Sequence, residues 1–408
     1  METTLPPQPW MTAPATRAVV EALQAEGTGV RFVGGCVRDA LAGREIRDVD
    51  LATPDAPEQV MALLARAGLK AVPTGLAHGT VTAVSGHRPF EITTLRHDVE
   101  SFGRHARVAF TDDWRADAAR RDFTINALSL EPTGRLHDYF DGVADLAAGR
   151  VRFVGEARQR IAEDYLRLLR FFRFFAFYGR GEADREALAA AAEAAPQLTR
   201  LSGERVRAEL FRLLEAPDPV PVLGLMGEHR ILAAELPEAG DPAPVARLLP
   251  LEGAGAPDPL LRLAAWLETD AAGAEAVAER LKLSNAARRR LVLLLAPPLA
   301  VDPGDSRERL RVACYRLGAE RVADLLRLAA ARGGGTAGLE AALAVAEAWV
   351  PAAAPVRGRD LARLGVPPGP EMGRLLEALE ARWIASDFTL DRAALLTEAE
   401  RSRAQGSP

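Results

Sequence analysis

RFVGGCVRDALAGREIRDVDLAT, residues 31–53, is the stretch on which the reading of the chain turns. Val30–Val33 is an apolar run long enough for a short buried strand. Gly34-Gly35 interrupts it, and two glycines let a backbone turn tightly and come close to a ligand. Arg38 and Asp39 are expected at the start of a short helix ending near Gly43, and a second strand is expected over Ile46–Leu51. Asp48 and Asp50 are two residues apart on that strand, so both carboxylates leave one face. Two acids on one face call for a divalent cation, since Mg²⁺ takes one or two carboxylates together with phosphate oxygens.

Composition bounds the rest. A chain of 408 residues is too long for one core and predicts several domains. It is 48% hydrophobic and 26% charged, as soluble globular proteins are. No apolar run reaches the roughly 18 residues that a membrane span needs. METTLPPQPWMTAP carries no basic-then-apolar signal pattern, and it is short and poor in arginine for a transit peptide. Cys36 and Cys314 form no CxxC, which excludes a cysteine-based zinc site and suits a reducing cytoplasm. His97-Asp98 and His137-Asp138 have the dipeptide of metal phosphohydrolases, but neither has a second histidine at helical spacing.

An isolated Asp-x-Asp is usually a loop feature, and a Gly-Gly alone says less. The ordered set is more telling: apolar strand, Gly34-Gly35, Arg38-Asp39, then Asp48-x-Asp50. It supplies a phosphate cradle, a cation for the phosphates and a two-metal platform. In that order the stretch resembles the polymerase-β-like nucleotidyltransferases and, more narrowly, the class II tRNA nucleotidyltransferase and bacterial poly(A) polymerase family. The resemblance runs to about residue 215. DVESFGRHA, HDYFDG and EDYLRLLRFFRF place it nearest the α-proteobacterial and mitochondrial-type tRNA members.

The resemblance implies an α+β architecture. A nucleotidyltransferase head with a mixed sheet plus helices would span 16–149, followed by an all-helical neck (150–215), body (216–300) and tail (301–408). It implies Gly34, Gly35 and Arg38 around the nucleotide, and Asp48 and Asp50 as ligands of two Mg²⁺ ions. Glu91, on the strand EITTLR, would be a third catalytic carboxylate; the competing reading is a solvent-facing residue on an alternating strand. Arg121, within the stretch from Arg120 to Leu128, would contact the incoming triphosphate, against the plain reading of an exposed arginine.

Residues 158–178, RQRIAEDYLRLLRFFRFFAFY, read as one helix. Asp164 and Arg167 are three apart on it and therefore neighbours on its surface. As an exposed salt bridge the pair would contribute under about 1 kcal/mol. It also matches a chemical pattern. Cytosine and adenine each present an amino donor beside an unprotonated ring nitrogen. A carboxylate accepts from the first, and a guanidinium donates to the second. Uracil and guanine present the reverse and would leave polar groups unpaired. This run resembles the family's protein template for nucleotide selection. A step of three residues rotates about 60° short of a full turn, so Arg170 can join the pair, while Arg173 turns toward the opposite face to hold phosphate or structure.

Elsewhere, helices are expected over 16–26 and 57–67, the latter closed by Gly68, and strands over 70–74, 79–85 and 89–95. Residues 98–117 are polar and aperiodic and read as a flexible loop, which in this family helps the site switch between nucleotides. Residues 134–142 read as a strand and turn that close the sheet. Ser202 reads as the N-cap of a helix over 203–214. Beyond it the chain reads as helical, and Gly369-Pro370 opens a helix that is either a plain start or a phosphate site. Net charge is −5, which argues mildly against nucleic acid. However, 150–180 holds eight arginines (150, 152, 158, 160, 167, 170, 173, 180) against three acids, Glu156, Glu163 and Asp164.

The function implied is template-independent addition of C, C and A to the tRNA 3′ end, with CTP and ATP as substrates and no obligate protein partner or membrane. Enzymes adding only CC or only A are alternatives. A poly(A) polymerase is another, although HGTVTAVSGHRPFEI (78–92) lacks an arginine-rich strand motif. A tRNA-binding protein with a degenerate head is a third, against which stands the intact acid pair.

Overall fold

The computed structural model describes residues 4–102, 105–253 and 255–404. Nine strands are described: β1 (Arg31–Val33), β2 (Asp50–Thr53), β3 (Lys70–Gly75), β4 (Thr80–Ser85), β5 (Arg88–Thr94), β6 (Arg96–Phe102), β7 (His105–Phe110), β8 (Ser129–Leu130) and β9 (Leu136–His137). Seven of them form one sheet in the order β3-β4-β5-β2-β1-β8-β9. β2 runs parallel to β5, and the other pairs in that sheet are antiparallel. The expected mixed sheet is therefore present.

Alternation along the strands assigns its two faces. Val81 and Ala83 of β4 and Phe90 and Ile92 of β5 are buried. They pack with Val19, Val20 and Leu23 of helix Pro14–Gln24 and with Val60, Leu63 and Leu64 of helix Pro57–Arg66. Glu91 lies between Phe90 and Ile92 and so points the other way. Asp50 is its register partner across the parallel pair, so the two carboxylates share the face without helices 14–24 and 57–66.

Four expectations are corrected. The second strand starts at Asp50, not Ile46, because Val33 ends β1 and Gly34 turns away with φ +69°; residues 46–49 have no ladder partner there. Asp48 therefore precedes the strand instead of sharing its face. The helix after the glycines runs from Gly35 to Leu41, which puts Arg38 and Asp39 in its middle. The segment 98–117 is not irregular. β6 and β7 pair as an antiparallel ribbon, and helix Trp114–Ala119 follows, capped by Asp113, which accepts from Arg115 N at 2.8 Å. A two-stranded ribbon buries little, so its sequence needs no apolar period; residues 103–104 lie outside the described residues.

The fourth correction concerns 158–178, which is two helices, Ala157–Glu163 and Leu166–Tyr178. Asp164 separates them in an extended conformation, φ −154° and ψ 107°. Its Oδ1 accepts from Leu166 N at 3.2 Å, the kind of side-chain-to-backbone bond by which aspartate competes with a helix. Phe171, Phe172 and Phe174 of the second helix are buried, and the rings of Phe123 and Phe174 lie 5.1 Å apart. That contact ties this helix to the segment from Arg120 to Leu128.

By compactness the chain forms two units, residues 1–241 with 276–283 and residues 242–275 with 284–408. The second is helical, and it includes Pro370–Ala385, which starts where Gly369-Pro370 indicated. Leu379, Trp383 and Leu395 are buried together there. Among the described residues no helix is long and apolar enough to cross a membrane.

Candidate active site

Gly34 sits at φ +69° and ψ −123°, a conformation L side chains avoid, and a Cβ there would lie 3.2 Å from Arg121 Nη1. The turn is thus kept bare directly under a guanidinium. Arg121 is held in place by Asp117, whose Oδ2 accepts from Nη2 at 3.3 Å, and by Asn126 O at 3.4 Å. Asp117 is buried and also accepts from Arg120 Nε at 2.9 Å. Burial would raise its carboxyl, but Arg121 and Arg120 outweigh burial and hold it below the usual carboxylate range.

Asp50 is under the opposite stress. Burial first, then the charges of Glu91 and Asp48, push the Asp50 carboxyl up to about 6, with Arg121 pulling against them. A buried carboxylate with two like charges near it and one arginine in partial opposition suits a hard cation with oxygen ligands. Among the described residues no three histidine, cysteine or acidic side chains are already gathered closely enough to hold an ion.

On the neck side, Asp164 Oδ2 accepts from Arg205 Nη2 at 2.7 Å. Arg167 Nη1 donates to Glu163 Oε2 at 2.5 Å and to Arg160 O at 3.0 Å. Arg170 donates to Asp122 Oδ2 from Nε at 2.8 Å and from Nη2 at 2.5 Å, and its Nη1 lies 3.5 Å from Glu209 Oε1. Arg173 Nε donates to Glu209 Oε2 at 2.5 Å. Arg38 donates to both oxygens of Asp39 at 3.0 Å and to Asn126 Oδ1 at 2.6 Å, with Phe174 and Tyr178 against its guanidinium. Asn126 Nδ2 donates to Asp122 Oδ1 at 2.9 Å. A continuous polar chain therefore runs from Arg38 through Asn126, Asp122, Arg170 and Glu209 to Arg173. Burial would raise the Asp122 carboxyl, but Arg170 and Asn126 outweigh it and hold it low.

A cavity of about 440 Å³ collects most of the expected residues: Gly34, Gly35, Arg38, Asp50, Arg121, Asp164, Arg167 and Arg170. Asp48, Glu91 and Arg173 do not line it. A larger cavity of about 940 Å³ in the second unit, lined from Ala286 to Trp349, has no glycine in its lining. Sequence reasoning missed Asp117, Asp122, Asn126, Glu163, Arg205 and Glu209. Asp122 and Asn126 stood inside a quoted motif. Asp117 and Glu163 had a local signal, an arginine three or four residues away, while Arg205 and Glu209 have none, because their roles come from which helices pack together.

The fold and cavity define the class, a nucleotidyltransferase with a poly(A) polymerase type of head. Residues 30–152 match the family described as Poly A polymerase head domain, and residues 182–241 match the one described as Probable RNA and SrmB- binding site of polymerase A. The mitochondrial CCA tRNA nucleotidyltransferase 1 of Danio rerio is 35% identical over 396 residues, covering 94% of this chain and 90% of its own. The Homo sapiens protein of that name is 35% identical over 407 residues, covering 93% and 88%. The crystal structure of the Bacillus stearothermophilus CCA-adding enzyme in complex with CTP superposes with a TM-score of 0.77 at 27% identity, over 97% of this chain and 100% of that one. The chain belongs to the CCA tRNA nucleotidyltransferase family.

Proposed function

We propose that this protein completes tRNA 3′ ends by adding C, C and A from CTP and ATP, without a nucleic-acid template. One observation carries the reading: a single cavity joins Asp50, the bare Gly34 turn and Arg121 to Asp164 and Arg167. The first group suits a metal-bound triphosphate, and the second suits the donor–acceptor edge shared by cytosine and adenine. The full-length relatives, by name CCA tRNA nucleotidyltransferases, support it.

In this reading the tRNA 3′-hydroxyl attacks the α-phosphate of the bound nucleotide, and pyrophosphate leaves. Asp48, Asp50 and Glu91 would hold two Mg²⁺ ions. When bound, these supply a lowered pKa at the attacking hydroxyl and charge stabilisation at the departing phosphates. Arg121, braced by Asp117, takes the triphosphate over the glycine turn, with Arg38 behind it. Asp164 accepts from the amino group of the base, and Arg167 donates to the ring nitrogen. Arg170, engaged with Asp122 and Glu209, sets the wall of the base site, and Arg173 stands behind it on Glu209. Head (16–149), neck (150–215), body (216–300) and tail (301–408) divide the work, the last two holding tRNA. The two cysteines, both buried and free, support a reducing compartment such as the cytoplasm.

The test is incorporation of radiolabelled CTP and ATP into three tRNA transcripts, ending before the first C, the second C and the A. Addition of C, C and A in turn is expected. A chain that extends only some of these ends is a CC-adding or A-adding enzyme, and one that extends none is a binding protein.

A further inference from the structure

We propose that Arg205 is a specificity-positioning residue, whose guanidinium holds the Asp164 carboxylate in the orientation that reads the base amino group. The inference rests on the reading of Asp164 and Arg167 as the base-selecting pair.

Asp164 sits at the break between two helices, so no helical backbone dictates where its side chain points. Two contacts fix it instead. Leu166 N donates to Oδ1 at 3.2 Å, and Arg205 Nη2 donates to Oδ2 at 2.7 Å. A carboxylate has about four acceptor positions, so both oxygens keep capacity for an incoming amino group. The Arg205 contact is the shorter and the charge-assisted one, and such bonds carry direction as well as energy. Both side chains are about 20% exposed, between the weak regime of solvent-exposed pairs and full burial.

Arg205 also lines the same cavity as Asp164 and Arg167. It arrives from a separate helix, Gly203–Leu214, which also supplies Glu209 to Arg170 and Arg173. One helix therefore orients the acidic member of the pair and anchors the arginines beside it. The other member, Arg167, is braced from within its own run by Glu163. Selectivity thus depends on the packing of helix 203–214 against helix 166–178, which the EDYLR run does not encode by itself.

The experiment compares kcat/KM for CTP and UTP on a tRNA lacking its terminal residues. The proteins are wild type, Arg205→Gln, Asp164→Ala and the double variant, each checked for folding by thermal unfolding. Arg205→Gln is expected to lower the CTP-over-UTP ratio about tenfold, the scale of one lost charge-assisted hydrogen bond. In the Asp164→Ala background the same substitution should change the ratio no further, since it acts through that carboxylate. A folded Arg205→Gln protein with the wild-type ratio overturns the proposal, as does an additive loss in the double variant. If Asp164→Ala itself keeps the wild-type ratio, base reading by that residue falls and the positioning role falls with it. Loss of selectivity in Asp164→Ala but not in Arg205→Gln removes the positioning role alone. Should Arg205→Gln fail to fold, Arg205→Met takes its place. A lysine could still donate the single bond that Arg205 makes, whereas methionine keeps the aliphatic stem and removes every donor. Arg205→Met should lower the ratio, and an unchanged ratio in it overturns the proposal.

Discussion

Asp50 shows at the scale of one residue how function strains a fold. Its carboxyl is pushed from 3.8 up to about 6 by burial and by Glu91 and Asp48. A group whose folded pKa lies above its unfolded value stabilises the fold fully below the unfolded value, and that stability is lost as pH rises through the folded one. In EDTA, thermal unfolding should therefore occur at falling temperature as pH rises from about 4 to somewhat above 6, a loss on the order of 3 kcal/mol from this group. Asp50→Asn should flatten that decline; a mutant with the same slope would place the titration elsewhere. Activity gives a second test. Asp48→Ala or Asp50→Ala should abolish incorporation of both nucleotides while tRNA binding survives, and retained C addition in either would remove the carboxylates from catalysis. At this scale the sequence was legible where chemistry sits in a local pattern, as in Gly34, Asp50, Arg121 and Asp164. Arg205 was not legible, since its partner Asp164 lies at a helix break far away along the chain, whereas Asp117, three and four residues before Arg120 and Arg121, was legible and missed.

Elements were read well where alternation or amphipathic period was strong. β3, β4 and β5 and the helices 14–24 and 57–66 lie within two residues of expectation. The misreadings have physical causes. The strand near Asp50 was placed early, because strand propensity says nothing of a missing ladder partner beyond Gly34. The break at Asp164 was invisible, because EDYLRLL is compatible with a continuous helix until the aspartate bonds to Leu166 N. The 98–117 segment looked irregular because a pair of strands outside the main sheet needs no regular apolar period. The ribbon is a separate two-stranded sheet, and we propose that it is the part that moves between the C-adding and A-adding states. Shortening the ribbon should impair A addition far more than C addition in single-step assays; equal loss of both would give the ribbon a purely structural role.

On the scale of the whole molecule, net charge misleads in both directions. The chain is acidic overall, while 150–180 is rich in arginine. Much of that excess is answered inside the first unit: Arg150 and Arg152 by Asp145, Arg158 by Glu193, and Arg170 and Arg173 by Asp122 and Glu209. Arg150, Arg152 and Arg158 remain exposed and available to phosphates that displace their partners. Binding of tRNA should still weaken between about 50 and 200 mM salt, as counterion release requires, though less steeply than eight free arginines would give. A flat dependence would mean that the basic neck is not a tRNA surface.

The central claim is that side chains, and no nucleic-acid strand, choose the nucleotide. The most direct measurement is kcat/KM for all four nucleotides on one tRNA lacking its terminal residues, for wild type and Asp164→Ala. The wild type should prefer CTP and ATP. The variant should keep its metal site and triphosphate contacts, while UTP and GTP gain relative to CTP and ATP by an amount on the order of 1–3 kcal/mol, the penalty of an unpaired buried polar group. An Asp164→Ala protein that still prefers C and A over U would place the selecting groups elsewhere and leave residues 157–178 as a neck only.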